Sequence, residues 1–337
     1  MPHAFVVAPR RPLAPAAPDG GAPPAPAVIP DAALQPFARY LDDERVTDLF
    51  VNGADGLFVD RGEGPVRVPE WRAGEDAVRA LAVSLVGAGG RHLDDATPCV
   101  DVRLAGGVRV HAVLPPIAQA GTAISIRVPR LFAPDLDDLV ARGLTDPAGA
   151  DVLRALVAER TNVLVTGAAG SGKTTLLSAL LSAAAPTERI VTIEDVAELR
   201  LRHPHHVALE ARQPNLEGAG GVDLARLVRE ALRMRPDRLV VGECRGAEVR
   251  ELLSALNTGH DGGAGTLHAS GLPDVAARLE ALGALAGLDD AALARQTVSA
   301  FGCVIHLHRD ASGIRRIAGF GAPVLDARGR LSIRERT

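Results

Sequence analysis

Asn162-Val163-Leu164-Val165-Thr166-Gly167-Ala168-Ala169-Gly170-Ser171-Gly172-Lys173-Thr174-Thr175 decides how this chain is read. The first five residues form an apolar run of strand length, and residues 174–184 continue as a helix. Between them lies a complete G-x-x-x-x-G-K-[ST] loop, whose glycines let backbone N–H groups turn inward around phosphate oxygens. The positive end of the following helix adds to the same field. All but one of the 37 basic residues are arginine, and the exception is Lys173. A compact ammonium can reach between β- and γ-phosphates, where a flat guanidinium fork does not fit easily. Gly167, Ala168, Ala169, Gly170, Ser171, Gly172, Lys173, Thr174 and Thr175 are therefore the expected nucleotide-binding residues. Thr174 is expected to place its hydroxyl on Mg²⁺. These features predict a nucleoside triphosphate site.

Working outward, residues 163–166, 189–193, 207–210, 238–241 and 265–268 read as strands alternating with helices. That alternation predicts an α/β domain over 146–337, with a mainly parallel, doubly wound sheet and the nucleotide at its strand C-termini. The tail, residues 304–307 and 315–318 around Gly313, reads as a hairpin. Upstream, residues 31–130 read as a smaller α+β domain with a largely antiparallel sheet. It comprises a helix over 33–41 and strands over 48–51 and 57–60, joined at Asn52-Gly53. A helix over 75–87 and strands over 99–104, 108–114 and 122–128 complete it, with Gly106-Gly107 as a second tight turn. Residues 131–145 read as a linker, and residues 1–30, rich in Pro and Ala, as a disordered lead.

Composition narrows the function classes. Of the 337 residues, 47% are hydrophobic but only 3% aromatic, so the core is aliphatic. A net charge of −4 argues against sequence-independent nucleic-acid binding. Cys99, Cys244 and Cys303 are far apart and without C-x-x-C spacing. They read as small buried residues of a reducing compartment. Met1-Pro2-His3-Ala4-Phe5 lacks the pattern of a signal peptide. No uninterrupted apolar run reaches the ~18 residues a membrane span needs. A membrane role must then come through a partner.

Two apolar strands end in carboxylates. Arg189-Ile190-Val191-Thr192-Ile193-Glu194-Asp195 places an acidic pair at a strand C-terminus, where it faces the phosphate loop or merely solvates the strand end. Arg238-Leu239-Val240-Val241-Gly242-Glu243 fits a Walker B strand, with Gly242 allowing close approach of ligand. Glu243 is the expected metal-side carboxylate, directly or through water, together with Thr174. Either Glu243 or Glu194 could orient the attacking water, and the pattern leaves that choice open. His260 and His268 frame a Gly-rich segment without metal-ligand spacing. His203, His205 and His206 beside Pro204 read as a solvated loop.

These elements, in this order, resemble the type II/IV secretion-system ATPases (VirB11/GspE-like), most closely the CpaF/TadA branch of Flp-pilus and conjugation-associated ATPases. Thr192-Ile193-Glu194-Asp195-Val196-Ala197-Glu198-Leu199, Ala231-Leu232-Arg233-Met234-Arg235-Pro236-Asp237-Arg238, Asn257-Thr258-Gly259-His260-Asp261-Gly262 and Val46-Thr47-Asp48-Leu49-Phe50-Val51-Asn52-Gly53 carry the resemblance. It implies a homo-hexameric ring of RecA-like domains that hydrolyses ATP with Mg²⁺ and works on a polytopic inner-membrane platform protein from the cytoplasmic face. It further implies that His268 senses the γ-phosphate and that Arg109 and Arg127, with Arg103 a weaker candidate, reach the phosphates when the first domain closes. A pilus retraction motor, or a nucleotide-gated scaffold with little hydrolysis, is the alternative. The tetracysteine zinc module of type II assembly ATPases is missing from the pattern.

Overall fold

The structure is a computed structural model and describes residues 32–43, 45–128, 134–212, 219–310 and 313–336. The Pro/Ala-rich 1–30 lead lies outside the described residues, as do residues 129–133 of the boundary and linker region. The chain divides into two compact units, Met1–Arg127 and Val128–Thr337.

The first unit opens with a 3-10 turn, Ala32–Phe37, that becomes a single α-helical turn, α1 (Ala38–Leu41). A continuous helix was the expectation. Pro36 lies inside the segment and carries no N–H to donate, which accounts for the break. β1 (Asp48–Asn52), β2 (Leu57–Asp60), β3 (Pro65–Arg67), helix α2 (Glu75–Ala88), β4 (Cys99–Arg103), β5 (Arg109–Val113) and β6 (Ala123–Arg127) follow. The strands form one antiparallel sheet in the order β3-β2-β1-β6-β5-β4. Strict alternation puts Leu49, Val51, Leu57, Val59, Val100, Val102, Val110, Ala112, Ile124 and Ile126 in the core. α2 packs on β4 and β5 and buries Val78, Ala82, Leu85 and Val86. Each large apolar side chain so buried contributes about 1.5–3 kcal/mol. β3 escapes sequence reading because all three of its residues are exposed and show no alternation. Cys99 is a correction: it is exposed at the start of the edge strand β4, whereas Cys244 and Cys303 are buried as expected.

The second unit begins with α3 (Leu136–Ala141) and α4 (Pro147–Ala158). α3 occupies part of the expected linker because Asp135 and Asp138 close a reciprocal capping box around its first turn. α4 is started by Asp146, which accepts from Gly149 N, and by Pro147 at the first turn. Then come β7 (Val163–Gly167), α5 (Lys173–Ser182), β8 (Ile190–Glu194), β9 (His206–Glu210), α6 (Leu224–Leu232), β10 (Arg238–Val241), α7 (Glu248–Leu256), β11 (Ala264–His268), α8 (Asp274–Leu285), α9 (Asp290–Ala300), β12 (Cys303–Arg309), β13 (Arg315–Leu325) and β14 (Leu331–Arg336). The sheet runs β14-β13-β12-β7-β11-β10-β8-β9. The six strands from β12 to β9 are parallel, while β13 and β14 extend that sheet antiparallel, so it is mixed. The expected tail hairpin is thus a long ribbon joined to the main sheet.

Successive residues of the central strands enter different cores. Leu164, Val191, Ile193, Leu239 and Val241 pack with residues of α6, α7, α8 and α9. Val163, Val165, Ile190 and Val240 pack with residues of α3, α4 and α5. Helices therefore cover both faces of the central strands, which explains why those strands read as unbroken apolar runs. His206 is not a loop residue: it opens β9, and its Nε2 lies 2.9 Å from Thr192 Oγ1.

Candidate nucleotide site

Parallel strands end on one edge of a sheet, and here four adjacent ends carry the polar residues singled out above. Across that edge stand Gly167 on β7, His268 on β11, Glu243 just beyond β10, and Glu194 on β8. His268 is the direct cross-strand partner of Gly167.

The loop after β7 needs glycine for two different reasons. At Gly167 a Cβ would stand 2.4 Å from Leu307 O and 2.6 Å from Ser171 Oγ, so packing forbids one. At Gly172 the backbone is left-handed, with φ +99°, at the N-cap of α5. Lys173 is only 6% exposed. Its Nζ donates to Gly167 O at 3.1 Å and Ala168 O at 3.0 Å, and lies 3.2 Å from His268 Nδ1. Burial pulls its pKa below the ordinary value, against the attraction of Glu243. Thr174 is half-buried and Thr175 exposed at the start of the helix.

Glu243 is surrounded by cations. Arg245 Nη2 donates to its Oε2 at 2.6 Å, and His268 Nε2 approaches its Oε1 to 2.8 Å. Burial pushes its carboxyl up, but Arg245, His268 and Lys173 together outweigh burial and hold it below the usual value. His268 bridges Lys173 and Glu243. Desolvation and the Lys173 charge lower its pKa, opposed by Glu243. A neutral ring that accepts at Nδ1 from Lys173 leaves its proton on Nε2, facing Glu243.

Glu194 has the opposite surroundings. It is 5% exposed, and its carboxylate accepts from Glu198 N at 3.0 Å and Leu199 N at 3.1 Å. Burial raises its pKa to about 7, partly countered by those two N–H donors. Gly242 was expected to leave room for ligand. Instead, a Cβ there would stand 2.5 Å from Glu194 Cγ, so the missing side chain makes room for Glu194.

A cavity of about 360 Å³ adjoins the loop, lined by Ala168, His268, Ala269, Ser270, Asp274 and Arg278. Ser171 Oγ is buried without a hydrogen-bond partner, and Glu243 Oε1 has only the His268 ring beside it. Buried polar atoms are normally satisfied, so these two fit the oxygens of a phosphate and the water shell of a hard cation. No group of three or more His, Cys, Asp or Glu residues suited to a metal occurs among the described residues.

Residues 31–312 match the family described as Type II/IV secretion system protein. The chain belongs to the type II/IV secretion ATPase superfamily. A Mycobacterium tuberculosis protein that carries the name of a conjugal transfer protein is 52% identical over 297 residues, covering 86% of this chain and 84% of that one. The conjugal transfer protein TrbB of Rhizobium radiobacter is 35% identical over 249 residues, covering 72% and 73%. Among solved structures, the pilus retraction motor PilT with bound ADP aligns with a TM-score of 0.61 and 21% identity, covering 91% and 84%. That likeness is one of fold.

In this member of the superfamily, Arg109 and Arg127 belong to the first unit, where they are direct cross-strand partners. The row continues on one face of the sheet as Arg103, Arg109, Arg127, Asp48 and Asp60. Arg127 Nε donates to Asp48 at 3.1 Å, and Arg109 lies 3.7 Å from Asp101. Three arginines at one register position is a pattern that the linear sequence hides. Two site residues also escaped sequence reading. Arg245 carried a weak signal, two residues beyond Glu243. Arg315, whose Nε donates to Gly170 O at 3.1 Å, carried none in a chain so rich in arginine. Among the described residues no helix is long and apolar enough to cross a membrane.

Proposed function

We propose that this protein is a Mg²⁺-dependent ATPase that powers a pilus, protein or DNA export machine. The reading extends to a RecA-like nucleotide domain of the CpaF/TadA branch, assembled as a homo-hexamer. The ring works at the cytoplasmic face of the membrane on a polytopic platform protein. One observation carries it: Gly167, His268, Glu243 and Glu194 occupy successive strand ends beside a complete phosphate loop, and Lys173, at the start of α5, is held by carbonyls that a phosphate can replace.

The roles follow from charge. The loop N–H groups and Lys173 bind the β- and γ-phosphates. Thr174 and Glu243 are the groups that fit Mg²⁺, Glu243 because its neighbours keep it ionised at neutral pH. A bound Mg²⁺ would neutralise charge that develops on the transferred phosphoryl group. Glu194, with a pKa of about 7, can accept a proton from the attacking water near neutrality and is assigned the general base. His268 sits between lysine and carboxylate and reports whether the γ-phosphate is present. Arg109 and Arg127 are assigned to the developing phosphate charge.

Phosphate release from Mg-ATP, followed against protein concentration with light scattering on the same samples, tests the reading. Turnover per subunit should rise steeply as a ring-sized species forms, and Lys173→Ala should abolish it. ATP binding by an inert monomer would instead favour the scaffold reading, and stimulation by DNA would point to a nucleic-acid motor.

A further inference from the structure

Arg315, at the start of β13, touches the phosphate loop twice. Its Nε donates to Gly170 O at 3.1 Å, and a Cβ on Gly172 would stand 2.9 Å from its Cδ. Gly170 is the most open of the three loop glycines: its φ is +71°, and no heavy atom beyond its chain neighbours lies within 4 Å of where a Cβ would be. A glycine there leaves the Gly170–Ser171 peptide free to rotate. In a trans peptide the carbonyl of one residue and the N–H of the next point to opposite sides. Anchoring Gly170 O on Arg315 therefore turns Ser171 N–H to the opposite side of that peptide, where it donates to Ala168 O at 3.3 Å across the loop, a long bond for which a phosphate oxygen can compete. The flipped peptide would aim a carbonyl at a phosphate oxygen.

We propose that Arg315 is a positioning residue for nucleotide binding, fixing the Gly170–Ser171 peptide with its donor toward the phosphates; this rests on the loop being a phosphate site. A guanidinium suits the task because its charge strengthens the bond to the carbonyl while its stem covers Gly172. The chemistry groups stand on β8, β10 and β11, so Arg315 governs affinity and leaves the hydrolytic step alone.

The test measures the Kd of inorganic tripolyphosphate and of Mg-ATP on the full chain, with steady-state kinetics and melting temperature alongside. Arg315→Met keeps the stem and removes the donor. It should weaken both ligands about fivefold and raise KM, with kcat and melting temperature unchanged. Arg315→Lys, which restores a donor, should recover most of the loss. Wild-type affinity in Arg315→Met, or no recovery in Arg315→Lys, overturns the proposal. Lys173→Ala separates the two readings: if the wild type binds tripolyphosphate no better than Lys173→Ala, the phosphate-loop reading fails first.

Discussion

β8 and β10 are neighbouring parallel strands, each apolar and each followed or closed by a glutamate, yet the two carboxyls are driven in opposite directions. Glu194 is enclosed by protein, with two backbone N–H donors, the charges of Glu198 and Glu210 nearby and no cation among its influences, and its pKa climbs to about 7. Glu243 is also partly buried, but Arg245, His268 and Lys173 hold it ionised. Desolvation alone favours the neutral acid; desolvation beside cations favours the anion. The same local sequence pattern thus yields one group able to exchange a proton at neutral pH and another that keeps its charge.

The largest effect that can break this comparison is loss of the charged member. Glu243→Gln keeps the volume and removes the anion. Turnover should fall by about a thousandfold while ATP binding persists, measured by phosphate release and by nucleotide titration. Retained turnover would remove Glu243 from the metal side of the mechanism.

Glu194→Gln should cost about a hundredfold in turnover, within the range for a general base. In the wild type, kcat should rise with pH through about 7 as Glu194 ionises, and the residual activity of the variant should lack that limb. Stability gives an independent readout. Folding raises this pKa from 4.5 to about 7, so the native state binds the proton more tightly than the unfolded chain. The resulting stabilisation is full below pH 4.5 and is lost as pH rises to about 7, by about 3 kcal/mol. Denaturant titrations across that window should show the wild type losing stability relative to Glu194→Gln. Parallel curves would mean that Glu194 is not buried as described.

Much of this site is legible in the sequence, and the reasons for the rest are physical. The phosphate loop and the strands behind it announce themselves because a strand covered on both faces must be apolar throughout. Glu194 and Glu243 stand out for the same reason, as charges at the ends of such runs. Their difference in ionisation does not: Arg245, its largest cause, is one arginine among many in this chain, and His268 and Lys173 reach Glu243 only through the order of strands in the sheet. β3 and the cross-strand row Arg103–Arg109–Arg127 were hidden likewise: exposed residues carry no burial pattern, and register is not written in any single strand. Gly242 was misread because its partner, the Glu194 side chain, comes from another strand.

Gly242→Ala tests the contact between the two glutamates. The new methyl would meet Glu194 Cγ at 2.5 Å, so the carboxylate must leave its N–H donors. Overpacking of this kind costs about 1–3 kcal/mol. Melting should register that loss, and the pH limb assigned to Glu194 should move with it. An unchanged limb would separate Glu194 from the chemistry.

The smallest expected effect comes from Arg245→Met, which keeps a long stem and removes the cation. Arg245 is the largest of the influences that lower the Glu243 pKa, acting through its 2.6 Å hydrogen bond and its charge. Without it, burial gains ground and the Glu243 pKa rises, opposed by what remains of the pull of His268 and Lys173. Turnover at pH 7.5 should therefore change by no more than about twofold, since an exposed cation contributes little where solvent screens it. The acid limb assigned to Glu194 should stay in place, because Arg245 acts on Glu243 whereas Glu194 answers to burial and to its own neighbours Glu198, Leu199 and Glu210. An upward shift that survives in Glu194→Gln would instead assign the limb to Glu243. The two carboxyls, alike in sequence, then become separable by titration.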